Sequence, residues 1–305
     1  MGFEFSKMHG LGNDYVFAET FNQSIESEYN LSELAKKVSN RNFGIGSDGL
    51  ILICPSKIAD MKMRIFNADG SEAQMCGNGL RCAVKFAYER DLLGNNVGEI
   101  KGELQKVLDC LIGKANVKTV KVETGRGILT AALVLSCQNK VEQVCVNMSE
   151  PILSAKDIPV DLPAEKIVEQ DFEVEGYKSK MTCVSMGNPH AIFFCEDIGK
   201  IELDTLGPKI ENHRIFPERT NVHFVKVIDK EHVKMITWER GSGKTLACGT
   251  GASAVCVAGV LADMTNRAIE AELPGGKLKL MWNETDNCVY MLGQAEEVFT
   301  GRYLL

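Results

Sequence analysis

The 305-residue sequence has no run close to the roughly 18 uncharged apolar residues of a membrane-spanning helix. Its first residues lack the cationic segment and apolar stretch of a signal peptide. Positive charge is in deficit, since 34 Lys and Arg oppose 41 Asp and Glu. That balance disfavours a broad basic face for nucleic acid. We therefore expect a cytoplasmic protein that binds neither membrane nor nucleic acid.

The sequence also lacks any C-x-x-C pair, although it contains eleven cysteines. The usual spacing of zinc sites and thiol–disulfide exchange motifs is therefore missing. Most cysteines lie in apolar, strand-like runs, as Cys54 and Cys195 do. We expect reduced cysteines, mostly in the core, and no metal site.

Nucleotide-binding loops are missing as well. The segment GSGKT at 241–245 resembles the end of a P-loop, but the first glycine of that motif would stand at position 238, which is Trp. The glycine-rich segment 41–49 has the wrong spacing for a G-x-G-x-x-G fingerprint. Nucleotide binding has little support.

What the sequence does contain is an internal repeat. Four pairs of short motifs recur in the same order, at offsets of 175, 172, 172 and 149 residues. The pairs are 12–17 with 187–192, 62–67 with 234–239, 76–79 with 248–251, and 123–127 with 272–276. A shared order and a nearly constant offset predict a duplicated α/β unit with halves near 1–147 and 148–305.

The drop in offset requires about 23 additional residues in the first half, and residues 94–118 can supply them. Apolar residues recur there at helical spacing: Leu104, Val107, Leu108, Leu111 and Ile112. This spacing predicts an amphipathic surface helix.

Alternating β-branched runs predict strands at 49–53, 61–66, 120–123, 221–228, 233–238 and 278–282. Each Cys-Gly-x-Gly motif precedes an apolar segment of helical length, at 80–93 and 252–262. The expected fold is α/β (α+β). It has two pseudo-symmetric, strand-rich domains, each a mostly antiparallel sheet or barrel around one central helix, which face each other across a cleft that holds the active site.

Cys76 and Cys248 occupy equivalent positions at the two predicted helix starts. Free N–H groups and the positive end of the helix dipole favour an anion there, so we expect a lowered thiol pKa and a site suited to a carboxylate. Two sulfurs on opposite sides of one carbon suit racemase or epimerase chemistry. Either cysteine alone would more often be a small buried residue, but their equivalence in the repeat favours the functional interpretation.

Polar residues cluster at the same turns. They are Asn13, Asn67, Asn188, Asn221, Glu239 and Arg240. Asparagine at a turn is most often turn chemistry, yet amides, one carboxylate and one guanidinium together suit a zwitterionic substrate. His190 is either an ordinary hydrogen-bonded histidine or a group that tunes one thiol.

These motifs resemble the diaminopimelate epimerase family along nearly the whole chain. The matching segments are GND at 12–14, GIGSDG at 44–49, FNADGSE at 66–72, CGNGLRC at 76–82, GNPH at 187–190, PERTN at 217–221, ERG at 239–241 and ACGTG at 247–251. The resemblance implies a cofactor-independent isomerase that interconverts LL- and meso-2,6-diaminopimelate in lysine biosynthesis. It also implies that the final strand, from about 294, returns to the first half, which gives domains 1–147 with 294–305 and 148–293. A homodimer is implied, with Phe299 near the position of a dimerisation tyrosine in some relatives.

The resemblance further implies roles for single residues. Cys76 and Cys248 resemble the acid–base pair of the family, and His190 and Glu239 resemble residues that modulate the two thiols. The implied substrate contacts are Asn13, Asn67, Gly77, Asn78, Asn188, Asn221, Glu239, Arg240, Gly249 and Thr250.

Two other functions remain open. Proline-type racemases and hydroxyproline epimerases would share the two thiols, but a ring substrate with one carboxylate gives no reason for Arg240 with four asparagines. A redox-sensing or ligand-binding protein would use the paired thiols as a switch, with a stable disulfide as its working state.

Overall fold

The computed structural model describes residues 2–94 and 97–304. Within this part of the chain, nineteen strands and six α-helices form a strand-rich mixed α/β fold, as predicted. The chain divides into two compact units, Met1–Asn147 with Leu292–Leu305, and Met148–Met291. No helix among the described residues is long and apolar enough to cross a bilayer.

Among the described residues, the first unit contains ten strands and four α-helices. Its strands are β1 (Gly2–Gly10), β2 (Asn13–Glu19), β3 (Gly49–Cys54), β4 (Met61–Asn67), β5 (Glu72–Ala73), β6 (Gly98–Glu99), β7 (Asn116–Thr124), β8 (Gly127–Leu135), β9 (Val141–Asn147) and β19 (Glu296–Leu304). Its helices are α1 (Ile25–Glu28), α2 (Leu31–Ser39), α3 (Gly77–Glu89) and α4 (Glu103–Ile112).

The strands of this unit pair in the order β19-β1-β2-β3-β4-β7-β8-β9. The β2–β3 and β4–β7 pairs are parallel, and the other pairs in this order are antiparallel. Helix α3 packs against β1, β2, β3, β8 and β9. Because it touches strands near both ends of the order, the sheet curls around this one helix.

The second unit contains the remaining elements. Its strands are β10 (Gln170–Val174), β11 (Tyr177–Ser185), β12 (Pro189–Phe194), β13 (Asn221–Val227), β14 (His232–Glu239), β15 (Gly243–Thr245), β16 (Ala268–Leu273) and β17 (Gly276–Trp282), while β18 (Val289–Gly293) contains the boundary between the units. Its helices are α5 (Leu203–Glu211), α6 (Gly249–Leu261) and a 3₁₀ turn at Ile198–Lys200.

The second unit repeats the topology of the first. Its strands pair in the order β10-β11-β12-β13-β14-β16-β17, with β12–β13 and β14–β16 parallel. Helix α6 packs against β11, β12, β13, β16 and β17. It is apolar on all sides, rich in Ala and Val, because strands surround it.

The pairing registers of the two units coincide at the offsets found in the sequence. The equivalent partner pairs are Val16–Leu50 and Ala191–Val222, Ile51–Ile65 and His223–Thr237, and Met61–Val122 and Val233–Ala271. A duplication of one folding unit accounts for this agreement.

The prediction that the helices start at Cys76 and Cys248 is confirmed. Helices α3 and α6 begin directly after these cysteines, three residues before the apolar segments, and α3 ends at Glu89 rather than at residue 93. The reason is that each cysteine side chain caps its helix, so the two glycines that follow already belong to the first turn. The predicted surface helix in 94–118 is present as α4, with Leu104, Val107 and Leu108 buried.

Candidate active site

Cys76 is the N-cap residue of α3. Its backbone is extended, and its sulfur accepts a hydrogen bond from the N–H of Gly79 at 3.4 Å. A cysteine in this position takes the place that Ser, Thr, Asp or Asn usually fills at a helix start. The sulfur therefore lies at the positive end of the helix, as the sequence predicts.

A chain of polar side chains fixes the other side of this sulfur. The Cys76 thiol donates to Asn13 Oδ1 at 3.4 Å, and Asn78 Nδ2 donates to the same oxygen at 3.4 Å. The Asn13 amide in turn donates to Asp48 Oδ2 at 2.8 Å, and Arg41 bridges Asp48 and Asp14. Asp48 thus orients Asn13 so that its oxygen faces the thiol.

Tyr15 is a neighbour of Cys76 that the sequence reasoning missed. Its buried hydroxyl is hydrogen-bonded to Cys76 and Asn13. Burial raises the pKa of Tyr15 well above its usual value, and charge on Cys76 and Asp48 adds to the effect. A signal was available, because Tyr15 takes the place of His190 in the repeat.

Asn67 is the last residue of β4. Its amide donates to the Ser71 hydroxyl at 3.0 Å within the following turn. Its predicted substrate contact stays a prediction. Gly77 and Asn78 form the first turn of α3, where backbone N–H groups point towards the helix start.

Cys248 repeats the arrangement at the start of α6. Its sulfur accepts from the N–H of Gly251 at 3.4 Å and lies 3.6 Å from the Thr250 hydroxyl. The predicted lowering of its pKa is wrong. Burial raises the pKa of the Cys248 thiol well above its usual value, and the negative charge of the hydrogen-bonded Glu239 adds to this, outweighing the bonds from Thr250 and Gly251.

Glu239 and Arg240 lie where β14 ends, and both belong to the polar cluster predicted from the sequence. The Glu239 carboxylate accepts a hydrogen bond from the Thr245 hydroxyl at 2.6 Å. Arg240 donates from its guanidinium to the Glu218 carbonyl at 2.9 Å. Buried Asn221 accepts from the Arg240 N–H at 3.0 Å and donates to the Pro189 carbonyl at 2.7 Å, so it braces two loops.

His190 forms its hydrogen bonds with His223 and Asn188 rather than with the Cys248 thiol. It is fully buried, with Nε2 3.0 Å from Asn188 Oδ1 and Nδ1 2.9 Å from His223 Nε2. Asn188 Nδ2 donates to the Thr250 hydroxyl at 3.4 Å. Hydrogen bonds therefore connect His190 to Cys248 through Asn188 and Thr250.

Among the described residues, no group of three His, Cys, Asp or Glu side chains could hold a metal ion. All eleven cysteines lie in this part of the chain, and all are free.

Known proteins resemble this chain over almost its whole length. A family model described as diaminopimelate epimerase matches residues 5–153 and 182–298. A diaminopimelate epimerase from Acetivibrio thermocellus is 47% identical to this chain, and the alignment covers 97% of both chains. The enzyme of that name from Methanococcus maripaludis is 45% identical, with 98% of both chains covered.

Solved structures of low identity share the fold. A phenazine biosynthesis protein of the PhzF family from Bacillus anthracis superposes with a TM-score of 0.65 at 15% identity, covering 100% of both chains. A hydroxyproline epimerase from Agrobacterium vitis superposes with a TM-score of 0.64 at 12% identity, and the superposition covers 100% of this chain and 93% of the epimerase chain. Sequence match and identity together show that the chain belongs to the diaminopimelate epimerase family.

Proposed function

We propose that this protein is a diaminopimelate epimerase, an isomerase that interconverts LL- and meso-2,6-diaminopimelate in lysine biosynthesis without a cofactor. One observation carries the proposal: in a chain of this family, equivalent cysteines cap the central helices of two duplicated units. Each central helix thereby presents one sulfur at its positive end, where a thiolate is stabilised.

The proposed reaction uses one sulfur as base and the other as acid. The thiolate of one cysteine removes the proton from the α-carbon, and the thiol of the other delivers a proton to the opposite face. The carbon is inverted and the two sulfurs exchange protonation states, so the reverse reaction uses the same groups with their roles exchanged.

The carbon acid is much weaker than a thiol, and the helix starts supply part of the compensation. The first-turn N–H groups of Gly77, Asn78, Gly249 and Thr250 suit the substrate carboxylate, whose negative charge grows as the proton leaves. The raised pKa of Cys248 also makes its thiolate a stronger base once formed. Buried positioning of both reactants supplies a further share.

The substrate's charged groups match the polar residues at the same turns. We assign a substrate carboxylate to Arg240 and an ammonium group to the oxygens of Glu239 and the asparagines at 13, 67, 188 and 221. The second charged centre of diaminopimelate explains why this chain has more such groups than a substrate with one carboxylate requires.

We also propose a homodimer and a reducing compartment such as the cytoplasm. Strand β19 pairs with β1 and carries exposed apolar side chains, with Val298 57% and Phe299 47% exposed. These side chains support a dimer contact along this strand. Thiol catalysis requires the free cysteines that a reducing compartment preserves.

Incorporation of deuterium at the α-carbon in heavy water tests the proposed function. Diaminopimelate should exchange and epimerise, whereas L-proline should not. Cys76→Ser and Cys248→Ser should each suppress epimerisation by several orders of magnitude, because a hydroxyl is a far weaker acid–base group than a thiol. Full turnover by either variant would refute the two-thiol mechanism, and exchange of L-proline alone would indicate a proline-type racemase.

Oxidation separates the enzyme from the redox-switch alternative. Mild oxidation should abolish exchange, and a thiol reductant should restore it. An oxidised form that binds its ligand or partner better than the reduced form would support a switch.

A further inference from the structure

Two buried histidines are connected to Cys248 by side-chain hydrogen bonds, and the resemblance to the family implies a role for only one of them, His190. His190 and His223 are fully buried, and their rings are in contact, with His190 Nδ1 2.9 Å from His223 Nε2. The other nitrogen of His223, Nδ1, lies 3.0 Å from the hydroxyl of Thr237, which is also buried.

These side chains form an unbroken line of hydrogen bonds to the sulfur. The line runs from Thr237 through His223, His190, Asn188 and Thr250 to Cys248, with successive separations of 3.0, 2.9, 3.0, 3.4 and 3.6 Å.

The orientation of the Asn188 amide fixes the direction of the bonds between Thr250, Asn188, His190, His223 and Thr237. Asn188 Oδ1 can only accept, so His190 must carry its proton on Nε2. His190 Nδ1 is then an acceptor, which requires the proton of His223 to lie on Nε2 and the Thr237 hydroxyl to donate to His223 Nδ1. At the other end, Thr250 accepts from Asn188 Nδ2, which leaves its own proton free to be donated to the Cys248 sulfur, 3.6 Å away, when that sulfur is a thiolate.

Both rings are neutral in this arrangement, so each carries one N–H. Burial lowers the pKa of His223 to about 3. Burial also lowers the pKa of His190 well below its usual value, with His223 and Arg240 adding to the effect.

The first unit shows that this polar line is not needed for packing. The positions equivalent to His223 and Thr237 are Ile51 and Ile65, which are buried and paired across β3 and β4 in the same register. Ile51 lies against Gly79 as His223 lies against Gly251: a Cβ on either glycine would approach the residue behind it to 2.6 and 2.3 Å respectively. Two isoleucines therefore suffice behind one helix start, while a histidine and a threonine stand behind the other.

We propose that His223 and Thr237 are positioning residues for Cys248: they hold His190 as its Nε2–H tautomer, which orients Asn188 and directs the Thr250 hydroxyl at the sulfur as a hydrogen-bond donor. This role rests on the proposed function in treating Cys248 as an acid–base group. The donated bond stabilises the thiolate when Cys248 acts as base, and it has no equivalent built from Ile51 and Ile65 behind Cys76.

The first test reads the tautomers of the wild-type protein and does not depend on activity. Long-range ¹H–¹⁵N correlation spectra of ¹⁵N-histidine-labelled protein distinguish Nδ1–H from Nε2–H rings. With five histidines in the chain, single substitutions assign the signals. We expect His190 and His223 both to be neutral and protonated on Nε2. A proton on Nδ1 of His190 would overturn the proposal.

The second test replaces the line with the pair that the first unit uses. The double variant H223I/T237I introduces behind Gly251 the isoleucine pair that the first unit has behind Gly79. It should therefore fold, and thermal unfolding can confirm this. Loss of an oriented donor to a charged sulfur should lower the rate of α-deuterium exchange about 10-fold or more. His223→Gln places an amide N–H near the position of Nε2 and should recover most of that loss.

Thr250→Val separates positioning from a general structural effect. In that background the hydroxyl is already gone, so adding H223I/T237I should change the exchange rate less than about twofold. An equal loss in both backgrounds, or no loss in either, would overturn the proposal. A wild-type protein inert towards diaminopimelate would instead refute the proposed function, while the tautomer spectra would still decide whether the line is oriented as described.

Discussion

The buried carboxylate of Glu211 accepts a hydrogen bond from the indole N–H of Trp238 at 2.7 Å. Its other oxygen accepts from the N–H of Gly241 at 2.9 Å and from Arg219 at 3.2 Å. One side chain at the end of α5 thereby fixes both sides of the Glu239–Arg240 pair. Sequence reasoning did not find it, because Glu211 is distant along the chain and belongs to no motif.

Glu211→Ala should destabilise the protein by about 1–3 kcal/mol, because it removes the acceptor of the half-buried Trp238 indole N–H and of the Gly241 N–H. Urea unfolding measures the loss, and hydrogen exchange should show faster exchange at Gly241. Glu218→Ala, an exposed side chain in the same region, is the matched control and should cost less than about 0.5 kcal/mol. Equal stability of the two variants would contradict the bracing role of Glu211.

Glu239→Gln should lower the pKa of the Cys248 thiol, because it removes the negative charge beside a buried group. Peptide-resolved alkylation across a pH series gives the apparent value for Cys248, with exposed Cys110 as the internal reference. Glu231→Gln, on an exposed turn, should leave the Cys248 profile unchanged.

Acid should destabilise the protein through His223 more than through an exposed histidine. The pKa of His223 is lowered to about 3 by burial, so below about pH 6.5 the unfolded chain takes up a proton that the folded chain refuses. This destabilisation is absent above the unfolded pKa and grows by about 1.4 kcal/mol per pH unit as the pH falls towards 3. Chemical denaturation at pH 7, 6 and 5 should show H223I/T237I gaining on the wild type, with most of the gain between pH 6 and 5, where the slope approaches that value. The exposed His232→Asn variant should leave the slope of the wild type intact.

Gly251→Ala should cost more stability than Gly79→Ala, although the two glycines are equivalent in the repeat. A Cβ at Gly251 would lie 2.3–3.0 Å from three atoms of the rigid His223 ring, whereas at Gly79 the closest atom, at 2.6 Å, is the flexible end of Ile51. We expect about 1–3 kcal/mol for Gly251→Ala and less for Gly79→Ala. Thermal unfolding of both variants, together with Gly251→Ala in the H223I/T237I background, checks the cause. If the ring is the obstacle, the cost of Gly251→Ala should fall in that background.

Much of the fold was predictable because the sequence contains two copies of one unit. Residues separated by the offsets of 175, 172 and 149 occupy equivalent positions in the strand pairs of the two units. The pairs β2–β3, β3–β4 and β4–β7 have the same registers as β12–β13, β13–β14 and β14–β16. The helix starts could not be read from the apolar pattern, since Gly77 and Gly249 carry no apolar side chain. The recurring Cys-Gly-x-Gly motif placed the starts at Cys76 and Cys248 instead.

The chemistry of the two cysteines was harder to predict than their positions. A helix start alone lowers a thiol pKa, and that was the expectation for Cys248. Burial in the second unit and the charge of Glu239 reverse the direction. Neither effect is local in sequence, because both depend on which side chains the folded strands bring against the sulfur.

The order of residues by itself determined the duplication, the strand-rich class, the place of each cysteine before a central helix and the family of the chain. These features follow from periodicity and spacing, which can be read from the sequence without knowing which residues are in contact in the folded protein. Only the tertiary structure decided that Tyr15 bonds Cys76, that Glu211 braces the end of β14 and that His223 and Thr237 stand where the other unit has Ile51 and Ile65. Those contacts join residues from separate strands and helices, and their energies depend on burial and orientation that exist only after the chain has folded.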